Sequence, residues 1–280
     1  MTAAIVGLGL IGGSFALDLK ATSFYSKITG VDINHENIDV ALRLGLIDKA
    51  QDLGSAVMNS QLIIIATPVD AALNVLSQIM TMVSDQIILD VGSTKVPIVN
   101  AVSGNPKRGR FVATHPIWGT EYKGPAAALQ GKLRNHVTVI CNSEESDPDA
   151  LAFAEQMYDS IGMKRIYMGA VEHDLHAAYV SHISHVTSFA LALSVLEKEK
   201  ETNTIFQLAG AGFESTVRLA KSNPDMWTPI LQQNRTNILD VLNEQINQLK
   251  IFKKLLESEE FGKIYILIQK ANEIKKIFDK

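Results

Sequence analysis

The sequence predicts an α/β Rossmann-type doubly wound sheet domain followed by an all-α helical dimerisation domain. Three observations carry this. Short, nearly all-apolar segments alternate with helical stretches from residue 1 to about 168, the first of these segments runs into a GxGxxG loop, and beyond Gly169 only helical periodicity is found. Strands that are apolar throughout must be covered on both faces, which is the signature of a parallel sheet with helices on each side. The expected domains are residues 1–168 and 169–280.

The elements follow in order. Residues 3–6 are a short apolar strand, and a helix runs from about Leu10 to Lys20 after the glycines. Ile28 to Val31 is a second strand ending in Asp32, and Asn34 is placed to cap a helix reaching about Leu44. Leu62 to Ala66 is a third strand, stopped by Thr67-Pro68, with a helix over about Val69–Met82. Ile87 to Val91 leads through Gly92-Ser93-Thr94 to a helix near Pro97–Val102, and Phe111 to Thr114 runs into His115-Pro116. Val137–Cys141 and Arg165–Met168 complete the strands. Long helices are expected near 171–199, 203–221, 225–257 and 259–278. Their apolar stripes need something to cover them, and a partner subunit is the natural candidate.

The first loop carries the first chemistry. Gly7-Leu8-Gly9-Leu10-Ile11-Gly12 follows a strand and opens a helix, and Asp32 comes 20 residues after Gly12 at the end of the next strand. In that setting the motif is a dinucleotide-binding fingerprint. Gly7 permits the tight turn, Gly9 lets the backbone approach a pyrophosphate, and Gly12 allows close helix–strand packing. The helix N-terminus, from Leu10 and Ile11 onward, offers N–H groups to the phosphates. Thr67, at the end of the third strand, joins these as a cofactor-binding candidate. Asp32 is expected to accept hydrogen bonds from the ribose hydroxyls and to repel a 2′-phosphate. Ile33, Asn34 and His35 supply no cation for such a phosphate, so NAD is expected over NADP.

Composition excludes other classes. An apolar fraction of 46% is enough to build large cores, so the chain is not a disordered one. The balance of 26 basic and 30 acidic residues, −4 net, argues against nucleic acid as the main partner. The single cysteine, Cys141, cannot form an intrachain disulfide and ends an apolar run, so it reads as a small buried hydrophobe in a reducing compartment. No apolar run approaches the ~18 residues of a membrane span. The N-terminal apolar run lacks the preceding basic residue of a signal peptide. A cytoplasmic protein with no membrane role is expected, and the Lys-rich stretch 249–280 reads as the solvated face of packing helices.

Dinucleotide binding names no substrate, and four further segments narrow it: Asp90-Val91-Gly92-Ser93-Thr94-Lys95, Thr114-His115-Pro116-Ile117-Trp118-Gly119-Thr120-Glu121, Ser181-His182-Ile183-Ser184-His185, and Gly212-Phe213 through Arg218 to Pro224. In this order behind a GxGxxG they make the chain resemble the prephenate/arogenate dehydrogenase family of tyrosine biosynthesis, over roughly residues 3–245. The resemblance implies a Rossmann domain and a helical dimerisation domain. It implies NAD-dependent oxidative decarboxylation of prephenate to 4-hydroxyphenylpyruvate, or of arogenate to tyrosine, in a homodimer. It makes His115 the base that takes the hydroxyl proton and Ser93 the serine near the nicotinamide and that hydroxyl. Arg218 then holds a substrate carboxylate, while His182, His185, Thr120 and Glu121 belong to the substrate pocket. A neutral histidine suits the base role, and a guanidinium stays charged when desolvated. A substrate with two carboxylates on a net-acidic protein requires a local cationic pocket.

Other readings stay open beside this one. Arogenate or dual specificity turns on a keto or amino group that no residue here is seen to read. An imine or hydroxy-acid reductase of related architecture would need neither H-P-x-x-G-T-E nor S-H-x-x-H. A non-catalytic NAD-binding protein would not need Ser93, His115 and Arg218 together. Without the family match, Ser93 reads as a helix cap, His115 as a turn residue and Lys95 as a structural charge. Trp118 stands where the family usually has a small residue, and Glu214-Ser215 where it has a basic–acidic pair; Glu214 is placed to pair with Arg218 four residues on. No room is seen for an appended mutase or regulatory domain. A metal site is not expected: at about 100° per residue, His173 and His176 centre on the helix face opposite His182 and His185.

Overall fold

The computed structural model describes residues 1–22, 25 and 27–278. Among them is an eight-stranded sheet of β1 (Thr2–Val6), β2 (Lys27–Val31), β3 (Lys49–Ala50), β4 (Leu62–Ile65), β5 (Ile87–Asp90), β6 (Phe111–Pro116), β7 (Val137–Cys141) and β8 (Lys164–Met168). Their spatial order is β3-β2-β1-β4-β5-β6-β7-β8. Successive side chains point to opposite faces, so Ala3, Ile5, Leu62 and Ile64 enter one core and Ala4, Val6, Ile63 and Ile65 the other. The helices α1 (Leu10–Ala21), α2 (His35–Arg43), α3 (Leu53–Met58), α4 (Val69–Met82), α5 (Val96–Ala101) and α6 (Pro148–Ile161) belong to this sheet region. Asn34 caps α2 as expected, accepting from the Glu36 amide at 2.9 Å.

The sheet is parallel except at one pair. β7 runs antiparallel to β6, with His115 opposite Val139, and β8 is parallel to β7. A parallel neighbour needs a crossover of a dozen or more residues, usually a helix. Between β6 and β7 there is only a loop with one short turn, Pro125–Ala127. That loop is pinned to α1, where Ser14 Oγ accepts the Leu129 amide at 3.0 Å and Asp18 Oδ1 the Gly131 amide at 2.5 Å. The crossover between β7 and β8 is α6, which the sequence reading passed over, as it did β3 and α3.

Beyond the sheet lie α7 (Ala170–Ala177), α8 (Ile183–Thr202), α9 (Ala211–Val217), α10 (Pro224–Gln233), α11 (Arg235–Glu257), α12 (Phe261–Ala271) and α13 (Lys275–Phe278). Three of the four expected long helices are interrupted, 259–278 by a 3₁₀ turn at Asn272–Ile274. The stretch 203–221 consists of α9 between two short 3₁₀ turns, and 225–257 breaks at Asn234. α7 and α8 are continuous through a π-helical turn at Ala178–His182. The composite helix Ala170–Thr202 is, contrary to the sequence reading, long and apolar enough by length and composition to cross a membrane. The chain divides into two compact units, Met1–Arg235 and Thr236–Lys280.

Candidate active site

The strand order reverses between β1 and β4, and in open α/β sheets ligands bind outside the carboxyl ends of the strands at such a point. Gly7, Asp32, Thr67, Ser93 and His115 all stand at or just beyond the carboxyl ends of parallel strands. Gly7 has φ +96°, and a Cβ there would lie 2.7 Å from the Ala66 carbonyl. A Cβ on Gly12 would run into the Gly7 oxygen, whereas one on Gly9 meets nothing within 4 Å. The loop is thus compressed against the sheet at Gly7 and Gly12 and open at Gly9, where the first amides of α1, from Leu10 and Ile11 on, have no intrahelical partner. Asp32 Oδ2 accepts the Leu8 amide and Oδ1 the Asn34 amide, each at 2.8 Å, so the carboxylate ties the glycine loop to β2. Thr67 Oγ1 is buried with no hydrogen-bond partner among the described residues. An open glycine cradle, free helix amides, a carboxylate at the end of β2 and an unpartnered hydroxyl are what a dinucleotide needs, and these residues fit one.

At the next strand end, Lys95 and Asp90 form an ion pair with 0% and 1% of their side chains exposed. Lys95 Nζ also donates to the Thr114 carbonyl at 2.7 Å, one residue before His115. The Lys95 and Val96 amides are capped from the helical region, by Asp174 Oδ1 at 2.7 Å and Oδ2 at 2.9 Å. Ser93 is therefore not the cap of α5. It is half-buried, and its hydroxyl has no hydrogen-bond partner among the described residues.

His115 Nδ1 lies 2.8 Å from His173 Nε2, and His173 Nδ1 lies 2.7 Å from Asp174 Oδ1. Burial, then the like charges available on His173 and Lys95, holds His115 well below the usual imidazole range, so it is neutral. The expectation that His173 faces away from His182 fails at the π turn. One extra residue in a turn rotates everything after it by about 100°. His182 is thereby brought near both His173 and His115, and its own pKa is pushed down to about 4, mainly by burial. No group of three metal-ligating side chains is found among the described residues.

His182 is 1% exposed. Its ring meets Trp227 edge-on, and its Nδ1 accepts from Asn234 Nδ2 at 3.1 Å. His185 stacks on Trp227 at 3.5 Å, donates from Nδ1 to the Ser181 carbonyl, and has its pKa lowered by burial and by the Arg218 charge. Arg218 Nη1 is 3.4 Å from Glu121 Oε2, while Glu214 pairs with Lys221 at 3.8 Å. The expected Glu214–Arg218 pair is thus replaced by two others. Thr120 and Glu121 line a cleft of about 760 Å³ with Lys123 and Lys221. Trp118 packs against the sheet core. Contacts and charge interactions therefore run from Glu121 through Arg218, His185, Trp227, His182 and His173 to His115. His173, Asp174, Trp227, Lys123 and Lys221 were absent from the sequence-derived site. His173 and Asp174 precede a π turn that no spacing rule registers.

Two family models match the chain: "Prephenate dehydrogenase, nucleotide-binding domain" over residues 15–167 and "Prephenate dehydrogenase, dimerization domain" over residues 169–270. The chain is 31% identical to prephenate dehydrogenase of Bacillus subtilis, over 98% of this chain and 75% of that protein. It is 30% identical to cyclohexadienyl dehydrogenase of Zymomonas mobilis, over 92% and 89%. The structure of A. aeolicus prephenate dehydrogenase in complex with hydroxyphenyl propionate and NAD+ matches with TM-score 0.91 and 28% identity, covering 100% of this chain and 98% of that one.

Proposed function

Because this chain belongs to the prephenate dehydrogenase family, we propose that it oxidatively decarboxylates prephenate to 4-hydroxyphenylpyruvate with NAD+, as a soluble cytoplasmic homodimer serving tyrosine biosynthesis. Residues 1–168 would bind the cofactor, and 169–280 would complete the substrate site and the dimer. The observation that carries the reading is the line of side chains linking a buried neutral histidine at the end of β6 to an arginine beside a cationic cleft.

NAD+, when bound, accepts the hydride from the carbinol carbon. Gly7, Gly9, Leu10, Ile11 and Gly12 would hold its pyrophosphate and Asp32 its ribose hydroxyls, with Thr67 a further cofactor-binding residue. The His115 imidazole takes the hydroxyl proton as carbon dioxide leaves and the ring aromatises. The Ser93 hydroxyl orients the same oxygen. Arg218 holds a carboxylate and is itself oriented by Glu121, with Thr120, His182 and His185 completing the substrate pocket. Lys123 and Lys221 add the positive charge that a dianion requires.

Steady-state assays with prephenate or arogenate and NAD+ or NADP+ test this. The expected order places prephenate with NAD+ first in kcat/KM. Equal or better use of NADP+ contradicts the Asp32 assignment. Preference for arogenate shifts the substrate within the same reaction, an alternative favoured by the relative named cyclohexadienyl dehydrogenase.

A further inference from the structure

We propose that Asp174 and His173 fix the tautomer of His115, so that Nε2 of His115 is the nitrogen that receives the substrate proton; this rests on the reading of His115 as the base. Asp174 is 2% exposed, and its carboxylate is an acceptor only. Its two oxygens take the Lys95 and Val96 amides, which lock its position at the start of α5. Oδ1 also faces His173 Nδ1 at 2.7 Å, so that nitrogen carries a hydrogen. In this arrangement that hydrogen is the only one on the His173 ring, which leaves the lone pair on Nε2. That lone pair faces His115 Nδ1 at 2.8 Å, and a lone pair needs an N–H opposite it. His115 is therefore protonated at Nδ1, and, being neutral, is bare at Nε2.

The order matters because free neutral imidazole favours the opposite tautomer, with hydrogen on Nε2. Left to itself, His115 would spend most of its time with a proton already on the nitrogen that must accept one. Held by His173, it presents a lone pair. When Nε2 takes the proton, the Nδ1–H stays on His173 and no second proton has to move. The same carboxylate also fixes the start of α5, two residues beyond Ser93 at Lys95. His173 and Asp174 thus act as positioning residues, on the base through one bond and on the Ser93 loop through two others.

Imidazole ¹⁵N spectra of the unliganded, histidine-labelled protein at pH 8 read the tautomer directly, with His115 identified by the signals lost in His115→Asn. The native protein is expected to show His115 protonated at Nδ1 and bare at Nε2. His173→Phe should move the hydrogen to Nε2 and lower kcat roughly 10–100-fold, part of what a positioned base supplies, with KM nearly unchanged. A native His115 with hydrogen on Nε2 overturns the proposal without any variant. So does a His173→Phe protein in which the tautomer stays as in the native one. The spectra need no turnover, so a failure here is distinct from a failure of the base assignment, which His115→Asn kinetics tests.

Discussion

His115 and Arg218 lie on one line of contacts and charge interactions, yet their surroundings differ. His115 is held neutral by burial at the end of β6, whereas Arg218 keeps 53% of its side chain exposed and leans on Glu121. If His115 is the base as proposed, His115→Asn should lower kcat by roughly 10²–10⁴, with little change in KM. Arg218→Ala should raise KM chiefly, because a charge-assisted carboxylate contact serves ground and transition states alike. Normal turnover in the first and none at saturating substrate in the second would exchange the two roles. The pH dependence follows from the sign of the shift. A pKa lowered from 6.5 leaves the proton-accepting form in place through neutral pH, and it is lost only as pH falls well below 6.5. The acid limb of kcat/KM is expected there, and a limb at or above 6.5 would contradict the burial argument. At this scale the positions of Gly7, Asp32 and His115 at strand ends were legible, because each sits in a motif that carries its own context. The sequence was silent on pairing: Glu121 rather than Glu214 meets Arg218, because α9 ends at Val217 and Arg218 opens a 3₁₀ turn.

Among the elements, the segment from β5 into α5 does the most. Asp90 closes the strand, Lys95 folds back to it under the sheet edge, and Asp174 reaches in from α7 to cap the helix. Lys95→Met should cost about 3–5 kcal/mol of stability, because Asp90 would remain as an uncompensated buried charge. The urea midpoint should fall accordingly, and Asp90→Asn added to it should recover part of the loss. A Lys95→Met protein as stable as the native one would show that the pair is not held as described. Apart from β3 and α3, strand and helix positions through α5 were legible because apolar runs and caps are local signals. The antiparallel β7, the two-residue β3 and the π turn before α8 were not. Each depends on a loop length, a neighbour or an inserted residue rather than on a repeating pattern.

For the molecule as a whole, the apolar stripes seen in the sequence remain uncovered in a single chain. Val171, Val180 and Leu193 on the composite helix, and Leu249, Phe261 and Ile266 in the C-terminal unit, are all more than half exposed. Exposed apolar surface on this scale marks an interaction site, and dimerisation is the occupant that the helical-domain family model names. Light scattering at micromolar concentration should give about twice the 30.6 kDa chain mass, and a clean monomer would contradict that reading. The architecture was legible as alternation followed by helix, and the family through four motifs in order. The joining of residues 170–235 to the sheet region in one compact unit was not legible, since it rests on contacts such as Thr94 with Gln233, 139 residues apart. The central claim is that these parts together oxidise and decarboxylate a cyclohexadienol. Incubating the native enzyme with prephenate and NAD+ and measuring both products tests it most directly. NADH and 4-hydroxyphenylpyruvate should appear in equal amounts and only when both reactants are present, whereas NAD+ binding with neither product formed would contradict it.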